Sequence, residues 1–160
     1  MRLILMRHAD AVDSAGNDSS RTLSDHGWEQ ARAMGDWLQA LGVPIGRAVS
    51  SPYPRALETA ERVAECQTAP VSVIIEERLA PGMTRETGSA LIHEFGVEEE
   101  SCLLMVGHAP DMDKLAAHLI GAAEGGIAMK KGAAAMLDTV HAGFGGSTLH
   151  WLINPGIRAV

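Results

Sequence analysis

Apolar positions change their period several times along the 160-residue chain, and each change marks an element. Leu3, Ile4, Leu5 and Met6 run without interruption, as in a strand buried on both faces, and predict a first strand over residues 2–7. Residues 9–22, "ADAVDSAGNDSSRT", are rich in Asp, Ser, Asn and Gly and read as a loop. Ser24 is suited to cap a helix in which Trp28, Ala31, Met34, Leu38 and Leu41 recur at helical spacing, with Gly42 placed to end it. "RAVS" predicts a second strand, and "SPYPRALETAERVAEC" a helix with its prolines at the entrance and Ala56, Ala60, Val63 and Ala64 on one face. "VSVII" is a third strand and "TRETGSALIHEF" a helix weakened by Gly88. "CLLMVGHAPDMDKLAAHLIG" reads as a buried strand, a sharp turn and a helix opened by Pro110. "AAAMLDTV" and "STLHWLI" close the chain as two strands joined through the Gly-rich "HAGFGG", a hairpin. Strands alternating with helices and ending in paired strands indicate an α/β protein with a mainly parallel sheet and an antiparallel edge.

Composition narrows the function classes. At this length one domain over residues 1–160 is expected, and no repeat or linker marks a boundary. Hydrophobic residues make up 46% and charged residues 21%, an ordinary globular balance. The apolar runs are too short to span a bilayer, and the first residues lack the layout of a signal peptide. Cys66 and Cys102 form no close metal-binding pair and read as reduced thiols, so a cytoplasmic protein of bacterial type is expected. A net charge of −7 argues against nucleic-acid or anionic-membrane partners, which need a basic face. It leaves room for a local anion site, because a few arginines in a cleft outweigh a distant negative surface.

Candidate chemistry gathers at the strand ends. Ligands of open α/β sheets bind outside the carboxyl ends of the strands. Arg7-His8, Arg55 and His108 fall just past the first, second and fourth strands. A guanidinium and an imidazole at the end of a buried strand need partners, and a phosphate supplies them. Arginine forks match phosphate oxygens, and the N–H groups opening the helix after His108 add aligned dipoles. Plainer readings exist for each group. Asp10 or Asp13 could satisfy Arg7-His8, Glu58 or Glu61 could pair with Arg55, and Asp111 and Asp113 could join His108 around a metal. His26, His93, His118, His141 and His150 have no supporting context, and Trp28, Met34 and Trp37 read as packing residues.

"MRHAD", "RTLSDHGWEQA", "SSPYPRALETA" and "VGHAP" occur in that order, each at a predicted strand end or helix start. Together they resemble the histidine phosphatase superfamily, also called phosphoglycerate mutase-like, over residues 1–120, and the short length is most similar to its small SixA-like group. The resemblance implies a three-layer α/β/α sandwich and a phosphohistidine intermediate. It makes His8 the nucleophile and gives the phosphoryl group to Arg7, Arg55 and His108. Arg21 matches a basic position beside the pocket, and Ala109 of the "VGHAP" turn is counted with it as substrate-binding. No metal and no cofactor are implied, since arginines carry the positive charge.

Two departures bear on substrate. Arg7-His8-Ala9 stands for the common Arg-His-Gly, a variant associated with SixA-like members. Members acting on alkyl phosphates usually carry a glutamate acid in a pattern like Arg-Leu-x-Glu, whereas this chain reads "RLAP", with Pro81 in its place and Glu76 and Glu77 out of register. An alkoxide leaving group needs a positioned proton donor, and imidazole needs one far less. The expected substrate is therefore a phosphohistidine on a protein domain. A phosphatase for a sugar or nucleotide phosphate and a phosphate-binding module without turnover are the alternatives; His8 and His108 speak against the last. An open crevice without a lid is expected. The oligomeric state is left open, with the monomer preferred.

Overall fold

The computed structural model describes residues 1–13, 16–42 and 44–155. Positions 14 and 15 of the expected loop, and the last five positions of the expected domain, lie outside the described residues. Among the described residues six strands form one sheet: β1 (Arg2–Arg7), β2 (Ile45–Ser50), β3 (Val73–Ile75), β4 (Cys102–Gly107), β5 (Ala134–Thr139) and β6 (Ser147–Ile153). Their spatial order is β3-β2-β4-β1-β5-β6. β1, β2, β3 and β4 are mutually parallel, β5 runs against β1, and β6 pairs antiparallel with β5. The expected antiparallel edge is thus the closing hairpin.

Among the same residues four α-helices cover the sheet: α1 (Asp25–Ala40), α2 (Pro54–Glu65), α3 (Arg85–Phe95) and α4 (Asp111–Leu119). The two-residue period of β1 explains the layering. Leu3 and Leu5 face a core with Leu91, Ile92, Met112 and Leu115 of α3 and α4. Ile4 and Met6 face the opposite core, with Met34, Leu38, Ala56, Ala60 and Val63 of α1 and α2. Each fully buried Leu, Ile or Met stabilises the fold by about 1.5–3 kcal/mol, so the two cores hold the sheet between two helical layers. This is the three-layer α/β/α sandwich.

Local chemistry accounts for the element ends. The Ser24 hydroxyl accepts the Gly27 N–H at 3.0 Å, capping α1. Pro54 opens α2 at a position where its missing N–H costs nothing. Gly88 sits mid-helix because a Cβ there would press into the Leu115 methyls at 2.8 Å, so its intrinsic cost is traded for close approach of α3 to α4. Two packing expectations fail at one edge of α1. Trp28 is 39% exposed and Leu41 43% exposed, since the strip of α1 facing the sheet is set by Gly27, Ala31, Met34 and Leu38. Trp37 does pack, with its ring edge-on to Trp151 at 4.8 Å.

Strand order places the chemistry. β4 lies between β1 and β2, so the residues leaving all three strands emerge side by side at their carboxyl ends. Two of the connections that border this edge carry no α-helix: residues 76–84 hold one 3₁₀ turn (Glu77–Leu79), and residues 120–133 hold no helix.

Candidate active site

His8 leaves β1 with its ring fixed from both sides. Its Nδ1 lies 2.7 Å from the Ala9 carbonyl oxygen, which can only accept, so Nδ1 carries the proton. Nε2 is then a lone-pair nitrogen, and Arg55 Nε–H donates to it at 3.2 Å. Burial holds the imidazole down at about 4, against the pull of the Ala9 carbonyl and with help from Arg55, Arg7 and Lys131. His8 is therefore neutral at pH 7, with an unprotonated nitrogen facing a guanidinium.

His108 follows β4, its ring centroid 5.3 Å from that of His8. Burial, and next the closeness of the His8 ring and of the Arg55 guanidinium, push it down to about 3. Its Nε2 lies 2.8 Å from the Ser51 hydroxyl, which leaves β2. Its Nδ1 is buried with no partner among the described residues, and the same holds for Arg7 Nε. Buried polar atoms are rarely left so, at a cost of about 1–3 kcal/mol each. If Ser51 donates to Nε2, the proton of a neutral His108 sits on Nδ1, and this donor and Arg7 Nε–H both await an acceptor. Arg7 itself is held by Nη1–H donating to the Met129 carbonyl at 2.9 Å, and burial lowers its pKa.

Arg55 comes from the first turn of α2 and is 5% exposed. Two more of its five donors go to one residue: one Nη1–H to the Asp18 carbonyl at 2.6 Å and one Nη2–H to Asp18 Oδ2 at 2.9 Å. The Tyr53 ring lies 5.1 Å from the guanidinium, within cation–π range. Arg21 donates to the other Asp18 oxygen at 3.1 Å and to the Val12 carbonyl at 2.8 Å. Asp18 thus bridges the two arginines, and the hydrogen bond from Arg21 first, with Arg55 adding to it, holds its carboxyl below the usual range.

The structure therefore brings Arg7, His8, Arg55 and His108 to one crevice, with Arg21 one carboxylate away. Ala109 begins the turn after His108, in which the Met112 N–H is taken by the His108 carbonyl at 2.9 Å. The plainer pairings are not made as expected. Asp10 accepts from Lys131 at 2.7 Å, Glu58 accepts the Leu23 N–H at 2.7 Å, and Asp111 and Asp113 accept backbone N–H groups of Gly82 and Met129. Glu76 is tied to Arg78 at 2.8 Å through each carboxylate oxygen, which holds its carboxyl below the usual range, and Glu77 is exposed. Among the described residues no group of three His, Cys, Asp or Glu side chains is arranged to hold a metal ion. Asp18, Ser51 and Lys131 escape sequence reading. Asp18 sits in a loop whose composition predicts only turns, and Lys131 is far from any motif.

Three cationic or imidazole groups around a lone-pair nitrogen can bracket a tetrahedral oxyanion and place its central atom before His8. Fold and crevice together are those of an α/β protein that handles a phosphoryl-like anion. Comparison with known proteins agrees. A family model, histidine phosphatase superfamily (branch 1), matches residues 3–81. Phosphohistidine phosphatase SixA of Escherichia coli (strain K12) is 34% identical over 119 residues, 74% of this chain and 74% of that protein. The SixA homologue of Haemophilus influenzae is 29% identical over 128 residues, 76% of this chain and 78% of that one. A solved structure of the protein histidine phosphatase SixA complexed with tungstate superposes at a TM-score of 0.83 with 30% identity, covering 97% of both chains. The chain belongs to the histidine phosphatase superfamily and is a phosphatase.

Proposed function

We propose that this phosphatase hydrolyses phosphohistidine on a protein, through a covalent phosphohistidine on His8. The observation that carries the reading is the His8 ring itself: Nδ1–H is committed to the Ala9 carbonyl, and Nε2 is unprotonated beside Arg55. In the first step Nε2 forms a bond to phosphorus while the P–N bond of the substrate breaks. A substrate imidazole protonated on its other nitrogen departs neutral, so no side chain has to deliver a proton. Arg7, Arg55 and the Nδ1–H of His108 hold the equatorial oxygens as charge redistributes. Water then attacks phosphorus, the P–N bond to His8 breaks, and phosphate leaves as the ring regains its lone pair.

The choice of phosphohistidine over an alkyl phosphate rests on the acids. Pro81 occupies the place of the missing glutamate, and Glu76 is held ionised by Arg78. The connections at 76–84, with a single 3₁₀ turn, and at 120–133, with no helix, favour a protein-borne group over an enclosed metabolite. Arg21 and Ala109 are assigned to the substrate's surroundings and the cytoplasm to its workplace; no helix among the described residues is long and apolar enough to cross a membrane. The test compares turnover of a phosphohistidine protein with a panel of phosphomonoesters, and traps the phosphoenzyme. Wild type should prefer phosphohistidine and form an acid-labile phosphoenzyme, and His8→Ala should form none. Faster turnover of sugar phosphates, or undiminished turnover by His8→Ala, refutes the reading.

A further inference from the structure

The two peptide units after His8 have all four of their polar groups paired. In the first, the His8 carbonyl accepts the Gly132 N–H at 2.9 Å, and the Ala9 N–H donates to Thr59 Oγ1 at 3.0 Å. Thr59 is fully buried, and its own hydroxyl donates to the Arg55 carbonyl at 2.6 Å. In the second, the Ala9 carbonyl accepts His8 Nδ1–H at 2.7 Å, and the Asp10 N–H donates to Gln30 Oε1 at 2.9 Å. Gln30 stands on α1, outside the crevice, and touches neither His8 nor the arginines through any of these bonds.

We propose that Gln30 is a positioning residue for His8, acting through the Ala9–Asp10 peptide. A carbonyl whose own peptide N–H is engaged becomes a better acceptor, because hydrogen bonds in series polarise one another. Gln30 therefore strengthens the bond that keeps the proton on Nδ1, and it fixes the plane of the peptide that aims the ring. Without it the 9–10 peptide is held at one end only. The preference of the imidazole for one tautomer then weakens, although the Ala9 carbonyl and Arg55 Nε–H still favour it, and the fraction of rings offering an unprotonated Nε2 falls. A carboxylate at position 30 still accepts the Asp10 N–H, so Gln30→Glu keeps the function and Gln30→Leu removes it at similar size. Burial of a leucine there leaves the Asp10 N–H short of a partner, which is a local loss rather than a core defect.

The inference rests on the proposed role of His8 for its kinetic arm alone. Gln30→Leu should lower kcat about tenfold, as loss of one positioning hydrogen bond does, with KM and the inhibition constant for orthophosphate within about twofold of wild type. Gln30→Glu should recover most of kcat. Independently of turnover, ¹⁵N shifts of the His8 ring at pH 7 should be widely split in wild type and Gln30→Glu, as one protonated and one bare nitrogen require. In Gln30→Leu they should move toward each other. Unchanged splitting in a folded Gln30→Leu overturns the proposal even if the enzyme proves to act on another substrate. Equal loss in Gln30→Leu and Gln30→Glu overturns it as well, since that marks a packing role.

Discussion

Two buried imidazoles that resist protonation make acid the most informative perturbation. In the unfolded chain both rings titrate near 6.5, whereas in the folded protein burial first, and cationic neighbours next, hold His8 at about 4 and His108 at about 3. Between those values and 6.5 the unfolded state binds more protons than the folded state, so stability falls as pH falls. The contribution is fully present above pH 6.5 and is lost downward through the folded values. From pH 7 to pH 5 each ring removes about 2 kcal/mol, so the pair removes about 4 kcal/mol, with a slope near pH 5 of about 2.5 kcal/mol per pH unit. A typical domain has only about 5–15 kcal/mol in total, which makes the loss easy to read.

The shifted carboxyls act differently. Asp10, Asp18 and Glu76 have lowered carboxyl values, and their contribution disappears only as pH drops below the ordinary carboxylate range. Asp113 is raised by burial, and it works in the opposite direction, gaining stability as it takes up its proton. The assay is urea unfolding at half-unit steps from pH 7.5 to 4.5, at constant ionic strength and without phosphate, because a bound oxyanion would raise both rings. His108→Asn, which cannot titrate, should halve the slope whatever its starting stability. A flat profile between pH 7 and 5, or an undiminished slope in His108→Asn, refutes the account of two neutral buried rings.

Asp18→Asn should tighten orthophosphate inhibition two- to fivefold, because an exposed carboxylate on Arg55 and Arg21 competes weakly with an incoming anion; weaker inhibition would show that Asp18 aims Arg55 rather than occupying it. Gly27→Ala should cost about 2–3 kcal/mol in urea unfolding, since a Cβ there collides with the Asp10 carbonyl oxygen and α1 must move; wild-type stability would refute that contact.

The failure to foresee Asp18 and Gln30 has a physical cause. Asp18 lies in a stretch where Asp, Ser and Asn signal turns equally well whether or not a carboxylate points at an arginine. Its pairing with Arg55 depends on a 3₁₀ turn at Asp18–Ser20 lying against the entrance of α2, which periodicity does not encode. Gln30 lies inside the segment "RTLSDHGWEQA", but its residue type names no task there, and only the path of residues 9 and 10 past α1 gives its amide a role. Arg7, His8, Arg55 and His108 were legible because each sits at an element boundary that hydrophobic pattern does encode. Trp28 and Leu41 went the other way, since an apolar residue at helical spacing still points to solvent when the helix strip facing the sheet is narrow.

Alternation of apolar runs and helical stripes thus determined the α/β class, the closing hairpin and the strand ends where cations would gather, because periodicity and turn chemistry are local properties of the chain. Tertiary structure alone decided that β4 separates β1 from β2, that His8 keeps its proton on Nδ1, and that Asp18 spans two arginines. Those outcomes depend on distances between groups remote along the polypeptide and on how completely water is excluded from them, and neither quantity exists until the sheet has closed.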